Sequence, residues 1–532
     1  MFKLFSTKDA APAPAEPSLA AATPDARPTR GTMRKIASQV TRMFKAGESD
    51  RLNMNWGTHA VSADAIVQQF QRTLVVRSRE QAANNDHARA YVRMCRQNVV
   101  GPNGVVLQSQ AKTSKGKLDK ELNDAIEASF ARWGHRDNCD VTGLESWRSI
   151  QSSAIAACPT DGEFIIRKVY GPDAGPWGFA LQIIDPIRCP VDHDVQRLNK
   201  GTNFVRSGIE YTKFGRPVAF HITTTTAEDA DYSSGGRHFV RIPAGEIIHG
   251  YRKDMPGQKR GFPWMATGLF RLRNLNGYED AAIINARIGA SKVWAMQFAA
   301  GFGPEYNDDD PPQMDVEPGS GFILPEGATL VDWSPQSPSG ELGPMVKHML
   351  RSIGAGWGVP YNELSGDLEG VNFSSIRQGT LDSRENWKEL QEWLIETLIQ
   401  PVFEAWFEYS ALAGKITTQK GKPVSFPKID VHTDITWQPR RWQWIDPRAD
   451  VDAAVDSKNN FLASPSQIIR DSGRDPQSVW MESARDQRAI VDAYVAEGFT
   501  KDEALELVKL SMGMQPKPPA PAEKPLPKAP NE

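Results

Sequence analysis

The chain is 532 residues long, with 40% apolar residues, 24% charged residues and a formal net charge of −3. Such a length can bury more than one core, and about two to four domains are expected. Near-neutrality argues against a protein that grips nucleic acid tightly through an overall basic surface, but it does not exclude a conduit through which DNA slides.

No apolar run approaches the ~20 residues needed to cross a bilayer. Met1 to Phe5 is too short for the apolar core of a signal peptide, so a soluble protein made in a cytoplasm is expected. Cys95, Cys139, Cys158 and Cys189 are well separated with no C-x-x-C, and read as reduced, partly buried thiols.

Residues 1–33 are rich in Ala and Pro and read as a flexible arm. A short basic helix is expected around Arg34 to Phe44. Ser62 is placed to cap a helix whose apolar step continues through Ile66, Phe70 and Leu74 towards Tyr91, Met94 and Val99. Val99–Gln110 reads as strand, Pro-Asn-Gly turn, strand. Leu118–Trp133 reads as a helix closed at Gly134, and Ser146–Ala157 as another stopped by Cys158-Pro159. The period then changes. DGEFIIRKVY (161–170), GFALQIIDP (178–186), SGIEYTKFGRPVAFHI (207–222) and RIPAGEIIHGY (241–251) are apolar or alternating runs. The third is a hairpin turning at Phe214-Gly215-Arg216. An α+β region with a mostly antiparallel sheet is the fold this pattern implies.

A long amphipathic helical period starts at Pro263, through Met265, Leu269, Leu272 and Leu275, and a second row (Ile284, Ile288, Ser291, Ala295, Phe298) carries it to Ala300. Unbroken, about 38 residues at about 1.5 Å each would span roughly 55 Å. Residues 301–340 are rich in Gly, Pro and acids, with Gly321–Leu324 and Ala328–Trp333 as a possible strand pair. Leu342–Gly356 returns to helix, with Val346, Met349, Leu350 and Ile353 on one side. Two helices therefore bracket a compact β-containing insertion. Residues 359–375 read as a loop. Ser374–Ala413 is a second long helix, with Leu390, Leu394, Leu398, Val402 and Trp406 on a four-residue step and a kink expected at Pro401. A strand pair is expected in 424–437, then a small helical domain over 446–512 ending in an amphipathic helix, and a Pro/Lys tail.

Motifs for chemistry are weak. Gly354–Gly358 follows a helix instead of opening one, and no Gly-Lys-Ser/Thr is present, so it reads as a helix stop and hinge rather than a phosphate loop. The nine histidines show no paired metal-ligand spacing. Asp308, Asp309 and Asp310 read as an exposed acidic turn before they read as an ion site. Trp437, Trp442 and Trp444 flank Arg440 and Arg441. This mixture can stack nucleotides, but it equally marks a subunit contact, which is the preferred reading. No catalytic residue, cofactor or metal is expected.

Several pieces together resemble the lambda-type portal proteins of tailed phages: RSREQAANNDHARAYVRMCRQNVVGPNGVVLQS (77–109), DGEFIIRK (161–168), LQIIDP (181–186) and SGIEYTKFGRPVAFHI. They are joined by IPAGEIIHGYRKDMPGQKRGFPWMA (242–266), GVPYNELSGDLEGVNFSSIRQGTLDSRENW (358–387) and WIDPRADVDAA (444–454). They stand in the family's order across roughly residues 50–480. The resemblance implies a homo-oligomeric ring, usually of twelve subunits, at one vertex of the capsid in the virion, assembled in the host cytoplasm. It implies a multidomain plan: a mixed α+β wing (34–260), a first stem helix (261–300), a small β-containing clip (301–340), a second stem helix (341–358) and a channel loop (359–375). The kinked long helix with returning wing strands (376–445), a helical crown (446–512) and a tail (513–532) complete it.

Implied partners are further copies of the chain, double-stranded DNA read without sequence preference, the terminase large subunit, major capsid or scaffold proteins and head-completion proteins, with no membrane. Arg287, Lys292, Lys347 and Arg351 are the candidate channel cations. Asn362 to Asn372 would be a mobile inward loop whose Glu363, Asp367 and Glu369 limit sticking. Tyr306, Asp308, Asp309, Asp310, Glu326 and Trp333 are the candidate docking residues of the clip, and Trp437, Arg440, Arg441, Trp442 and Trp444 the subunit-interface candidates. The rivals are an enzyme such as a nuclease or ATPase, and another virion subunit such as a minor head or tail-connector protein.

Overall fold

The computed structural model describes residues 59–112, 118–196, 202–224, 238–290, 294–301, 326–332, 342–369, 373–418, 422–424, 435–442 and 447–511, with residues 51, 57 and 324 apart. Contacts divide the chain between Val61 and Ser62, and every described helix and strand lies in the unit that begins at Ser62. The expected basic helix at Arg34 to Phe44 lies outside the described residues.

Ser62 caps helix α1 (Ala63–Asn84), its hydroxyl accepting from the Ala65 N–H. Asn85 interrupts the expected continuous pattern and caps α2 (Asp86–Cys95) in turn. A π turn over Arg96–Val100 follows, closed by Gly101 donating to the Arg96 carbonyl at 3.0 Å. Val99–Gly101 is therefore not the strand expected there. β1 (Val106–Ser109) pairs instead with a strand more than three hundred residues away. Helix α3 (Lys120–Trp133) stops at Gly134 as its sequence indicates, and α4 is the short turn Arg136–Cys139.

Helix α5 (Trp147–Asp161) runs through Pro159 and ends at left-handed Gly162. The expected stop at Cys158-Pro159 does not occur, because the last carbonyls find partners: Trp264 and Met265 donate to Cys158 O and Pro159 O, both at 3.3 Å.

The sheet runs are as the alternation predicts. β2 (Glu163–Tyr170) lies between β3 (Phe179–Ile184) and β8 (Ile247–Tyr251), and a second sheet has the order β4 (Phe204–Arg206), β5 (Ile209–Tyr211), β6 (Pro217–Thr223), β7 (Phe239–Pro243). All these pairings are antiparallel. The near-continuous apolar run of β2 fits a strand covered on both faces. Phe164 and Ile166 join the helical core, while Ile165 joins Ile184, Ile209, Phe220 and Ile222 in a second core against the other sheet.

Helix α6 covers Leu269–Ala290, 22 residues, or about 33 Å, and not the rod to Ala300. Trp294–Phe298 is strand β9, paired antiparallel with β10 (Ala328–Asp332). That corrects the pairing expected for Ala328–Trp333, while Gly321–Ile323 lie outside the described residues. Helix α7 (Leu342–Trp357) buries Leu350 and Ile353 as predicted. The segment after it is not simply a loop, since Tyr361–Ser365 form α8, closed by left-handed Gly366.

The second long helix is α9 (Phe373–Leu394), a π turn (Ile395–Ile399) and α10 (Gln400–Leu412). The π turn widens the helix where the Pro401 ring would meet the carbonyl four residues back. Leu390, Leu394, Leu398, Val402 and Trp406 are all buried. Around them the main core gathers Ile126, Phe130, Trp133 and Phe179. Phe130 meets Trp406 edge-on at 4.9 Å, and the Trp133 indole donates to Phe179 O at 2.8 Å. β11 (Ile435–Gln438) returns to pair with β1; of the strand pair expected in 424–437, residues 425–434 lie outside the described residues. The chain closes with α11 (Pro447–Asn459), α12 (Pro465–Asp471), α13 (Pro476–Ala496) and α14 (Lys501–Ser511).

Candidate channel and assembly surfaces

The approach to α6 is fixed by a buried ion pair. Arg260 and Glu163 are 1% and 0% exposed at the side chain and meet at 2.5 Å. Arg260 also donates to Cys189 O (2.7 Å) and Ser207 O (2.8 Å). Glu163 accepts from the Gly261 N–H (3.1 Å) and pairs with His249 (2.8 Å). Burial alone would push the Glu163 carboxyl up; Arg260 and the His249 hydrogen bond outweigh it and hold the carboxyl down at about 2. A Cβ on Gly162 would meet the Phe262 carbonyl carbon at 2.2 Å, so α5 and the lead into α6 touch backbone to backbone. Sequence reasoning missed this lock. Its one local signal was a lone Glu ahead of an apolar strand, in DGEFII.

From that anchor α6 and α7 run in opposite directions and pack together. Thr267 donates to Gly356 O at 3.3 Å, and the Trp357 indole covers Gly268 and donates to Met265 O at 3.2 Å. Trp357 also stacks on Tyr91 at 4.9 Å. Leu269, Leu272 and Leu275 are buried, but no described side chain of α6 from Asn276 to Arg287 is. Ile283, Ile284 and Met345 are 50%, 53% and 45% exposed. Among the described residues, the far half of this helical hairpin therefore leaves several apolar groups uncovered.

Of the candidate channel cations, Arg287 is exposed on α6 and Arg351 on α7, the latter 5.6 Å over the Tyr361 ring. Lys347 pairs with Asp367 (3.3 Å) and Glu369 (3.5 Å), and the Asp367 partner raises its pKa. Asp367 also accepts from the Tyr361 hydroxyl at 2.8 Å. Its carboxyl lies below the usual range because the Glu369 N–H, Tyr361 and Lys347 all favour the charged form. The segment expected to be a mobile inward loop is thus, over residues 361–369, a capped helical turn tied to α7.

Glu363 is half-buried against α9, accepts from Ser383 Oγ at 3.1 Å, and burial pushes its carboxyl up. Asn362 is also half-buried. Lys292, Asn372, Tyr306, Asp308, Asp309, Asp310, Trp333 and Trp444 lie outside the described residues. Glu326 is exposed in the turn before β10.

The tryptophan-arginine group is engaged within its own chain. The Trp437 indole donates to Gln400 Oε1 (2.8 Å) and its ring meets Phe403 at 5.7 Å. Asn98 Oδ1 accepts from Arg440 (2.8 Å) and from the Trp442 indole (3.1 Å). Arg441 lies against Gly473. These contacts tie the returning strand and the residues after it to α10 and to the π turn that follows α2.

Among the described residues, no cluster of three or more His, Cys, Asp or Glu could hold a metal ion, and no helix is long and apolar enough to cross a membrane. Cys95, Cys139, Cys158 and Cys189 are buried and free, as expected. The class of fold these elements define is α+β, with a helical hairpin that leaves Ile283, Ile284 and Met345 exposed.

The family model "Phage portal protein, lambda family" matches residues 49–391. A probable portal protein of Halomonas phage phiHAP-1 is 34% identical over 458 residues, covering 84% of this chain and 87% of the relative. The chain belongs to the lambda family of phage portal proteins. Among solved structures, a chain from the neck of an empty GTA particle computed with C6 symmetry is similar at a TM-score of 0.39 and 14% identity, covering 83% of this chain and all of that one. A chain from the virion of a native gene transfer agent particle is similar at 0.39 and 13%, covering 78% and all respectively.

Proposed function

We propose that copies of this chain close into a ring at one capsid vertex and that double-stranded DNA passes through its axis during packaging and ejection. The observation that carries this reading is the α6–α7 hairpin. Inside a family of portal proteins, it leaves Ile283, Ile284 and Met345 exposed among the described residues. Adjacent hairpins around a ring would cover those groups and form the wall of a channel. On this plan residues 34–260 with the kinked α9–α10 helix form the wing, α6 and α7 the stem, the segment between them the clip, and 446–512 the crown.

The protein then performs no covalent chemistry. Packaging ATPase and nuclease activities reside in a terminase docked on the clip, whose place head-completion proteins later take. Because the whole genome passes, contact must ignore sequence and be weak. Lys347 already shares its charge with Asp367 and Glu369, which suits a wall that attracts phosphate without holding it. Electron microscopy of the purified assembly tests this: a closed ring with an axial hole wide enough for duplex DNA is expected. A compact monomer, or a disc without an opening, would refute it.

A further inference from the structure

The long helix made of α9, the π turn and α10 carries one sign of charge on its outer face. Over residues 382–410 every exposed residue is an aspartate or a glutamate. Glu385, Glu389, Glu392 and Glu396 follow one another by three or four positions, so they share a face. Exposed surfaces ordinarily mix both signs, and like charges at this spacing repel one another. Two of the acids are answered locally, Glu385 by Lys388 and Glu389 by Arg252 at 2.7 Å. Among the described residues, Glu392 and Glu396 pair with no cation.

A ridge of the opposite sign stands on α2 and the first residue of the π turn after it. Arg89, Arg93 and Arg96 are exposed, again at steps of four and three, and none has an ion-pair partner among the described residues. Arg89 to Arg96 and Glu389 to Glu396 are each seven positions apart, about 10 Å along a helix.

The two ridges point away from each other. Tyr91 of α2 and Leu390 of α9 line one cleft, and Met94 and Trp387 line another. The helices thus turn their inner faces together, and Gln391 of α9 donates to Asn98 O at 2.8 Å beside them. Helical spacing puts the arginines on the far side of α2 and the glutamates on the far side of α9. One chain therefore has a cationic flank and an anionic flank that it does not join to each other. We propose that the Arg89, Arg93 and Arg96 ridge of one copy lies along the Glu389, Glu392 and Glu396 ridge of the next, an inference that rests on the ring reading above. Different patches of the chain then meet head-to-tail, the contact that closes into a ring instead of stopping at a two-fold dimer. A single exposed ion pair adds little, but several in register fix partner and orientation.

The test uses the full-length chain and reverses each ridge in turn. Arg93→Glu with Arg96→Glu should raise the concentration needed for ring formation, read by mass photometry, about ten-fold, and Glu392→Arg with Glu396→Arg should do the same. A chain carrying all four substitutions regains attraction at every contact, so it should form rings within about three-fold of the wild-type concentration. Thermal midpoints of the dissociated chains should stay level, because all four positions are exposed. Reversals that assemble at the wild-type concentration, or a combined variant no better than its parents, overturn the assignment. So would rings of Glu392→Arg with Glu396→Arg that form normally and bind a short duplex more tightly, since the acids would then face DNA. Wild-type chains that never form rings overturn the ring reading itself, and this contact with it.

Discussion

Glu163 and Arg260 show how one residue pair can carry a long-range geometry. Both are buried, so each is tolerated only because the other and several carbonyls satisfy it. Replacing Glu163 by Gln removes the countercharge but leaves the guanidinium inside, a change that costs about 3 kcal/mol or more. Glu163→Gln should therefore lower the first thermal transition of the chain and loosen the segment leading into α6, as read by hydrogen exchange at residues 261–268. The acid dependence follows from the sign of the shift. The folded carboxyl sits near 2, below its ordinary 4.5, so its contribution is whole above about pH 4.5 and is lost as pH falls through about 2. The stability gap between wild type and Glu163→Gln should narrow over that window. A gap that stays constant from pH 5 to pH 2 would show that the pair is not what holds the junction. Phe461 is the opposite case: exposed at 95%, it holds a φ of 57°, a conformation that costs about 1–2 kcal/mol.

At the scale of elements, the same junction explains what the sequence could and could not disclose. The strands at 163–170, 179–184 and 217–223 were legible because a short apolar or alternating run bounded by Gly, Pro and Asp is a local signal. Helix α3 and the cap at Ser62 were legible because Gly134 and the Ser hydroxyl act on their own neighbours. Pro159 failed as a stop because its helix end is satisfied by Trp264 and Met265, about a hundred residues on. Trp294–Phe298 read as helix because its strand partner, Ala328–Asp332, lies far along the chain, inside the insertion that follows. Nothing local reveals Gln400 and Asn98 as the partners of Trp437 and Trp442. Glu363 is a case in point: its place in an acidic loop suggested a channel charge, and nothing local reveals that Ser383 of α9 donates to it and that it is half-buried there. The hairpin offers an element-scale prediction. A Cβ on Gly268 would lie 2.7 Å from the Trp357 indole nitrogen, so Gly268→Val must expel Trp357 from Met265 O and from Tyr91. Overpacking of this kind costs about 1–3 kcal/mol. The variant should unfold at lower temperature and expose the 342–357 helix to protease, whereas Gly277→Ala, with open space at that position, should not. Equal behaviour of the two variants would mean the Trp357 contact does not clamp α6 to α7.

For the whole molecule the deciding quantity is how strongly the wall holds DNA. A net charge of −3 over 532 residues gives no general attraction for a polyanion, so any binding must come from a few cations brought together by assembly. Exposed Arg287 and Arg351 and the half-shared Lys347 are the described candidates. Each phosphate neutralised releases counterions and adds about 0.9 to the steepness of log K against log salt for duplex DNA. Assembled rings carrying Arg287→Gln, Lys347→Gln and Arg351→Gln should therefore bind a short duplex more weakly by fluorescence anisotropy. The salt dependence should be shallower, and the loss equal for unrelated sequences. Removing the acids gives the converse. Asp367→Asn with Glu369→Gln frees Lys347 from its present partners, so binding should tighten and its salt dependence steepen, and passage of DNA in a packaging reaction should slow. A triple glutamine ring whose salt slope equals wild type would place these three side chains in contacts between subunits instead of on the wall. The acidic variant would then leave binding unchanged, which separates the two arrangements with one pair of titrations.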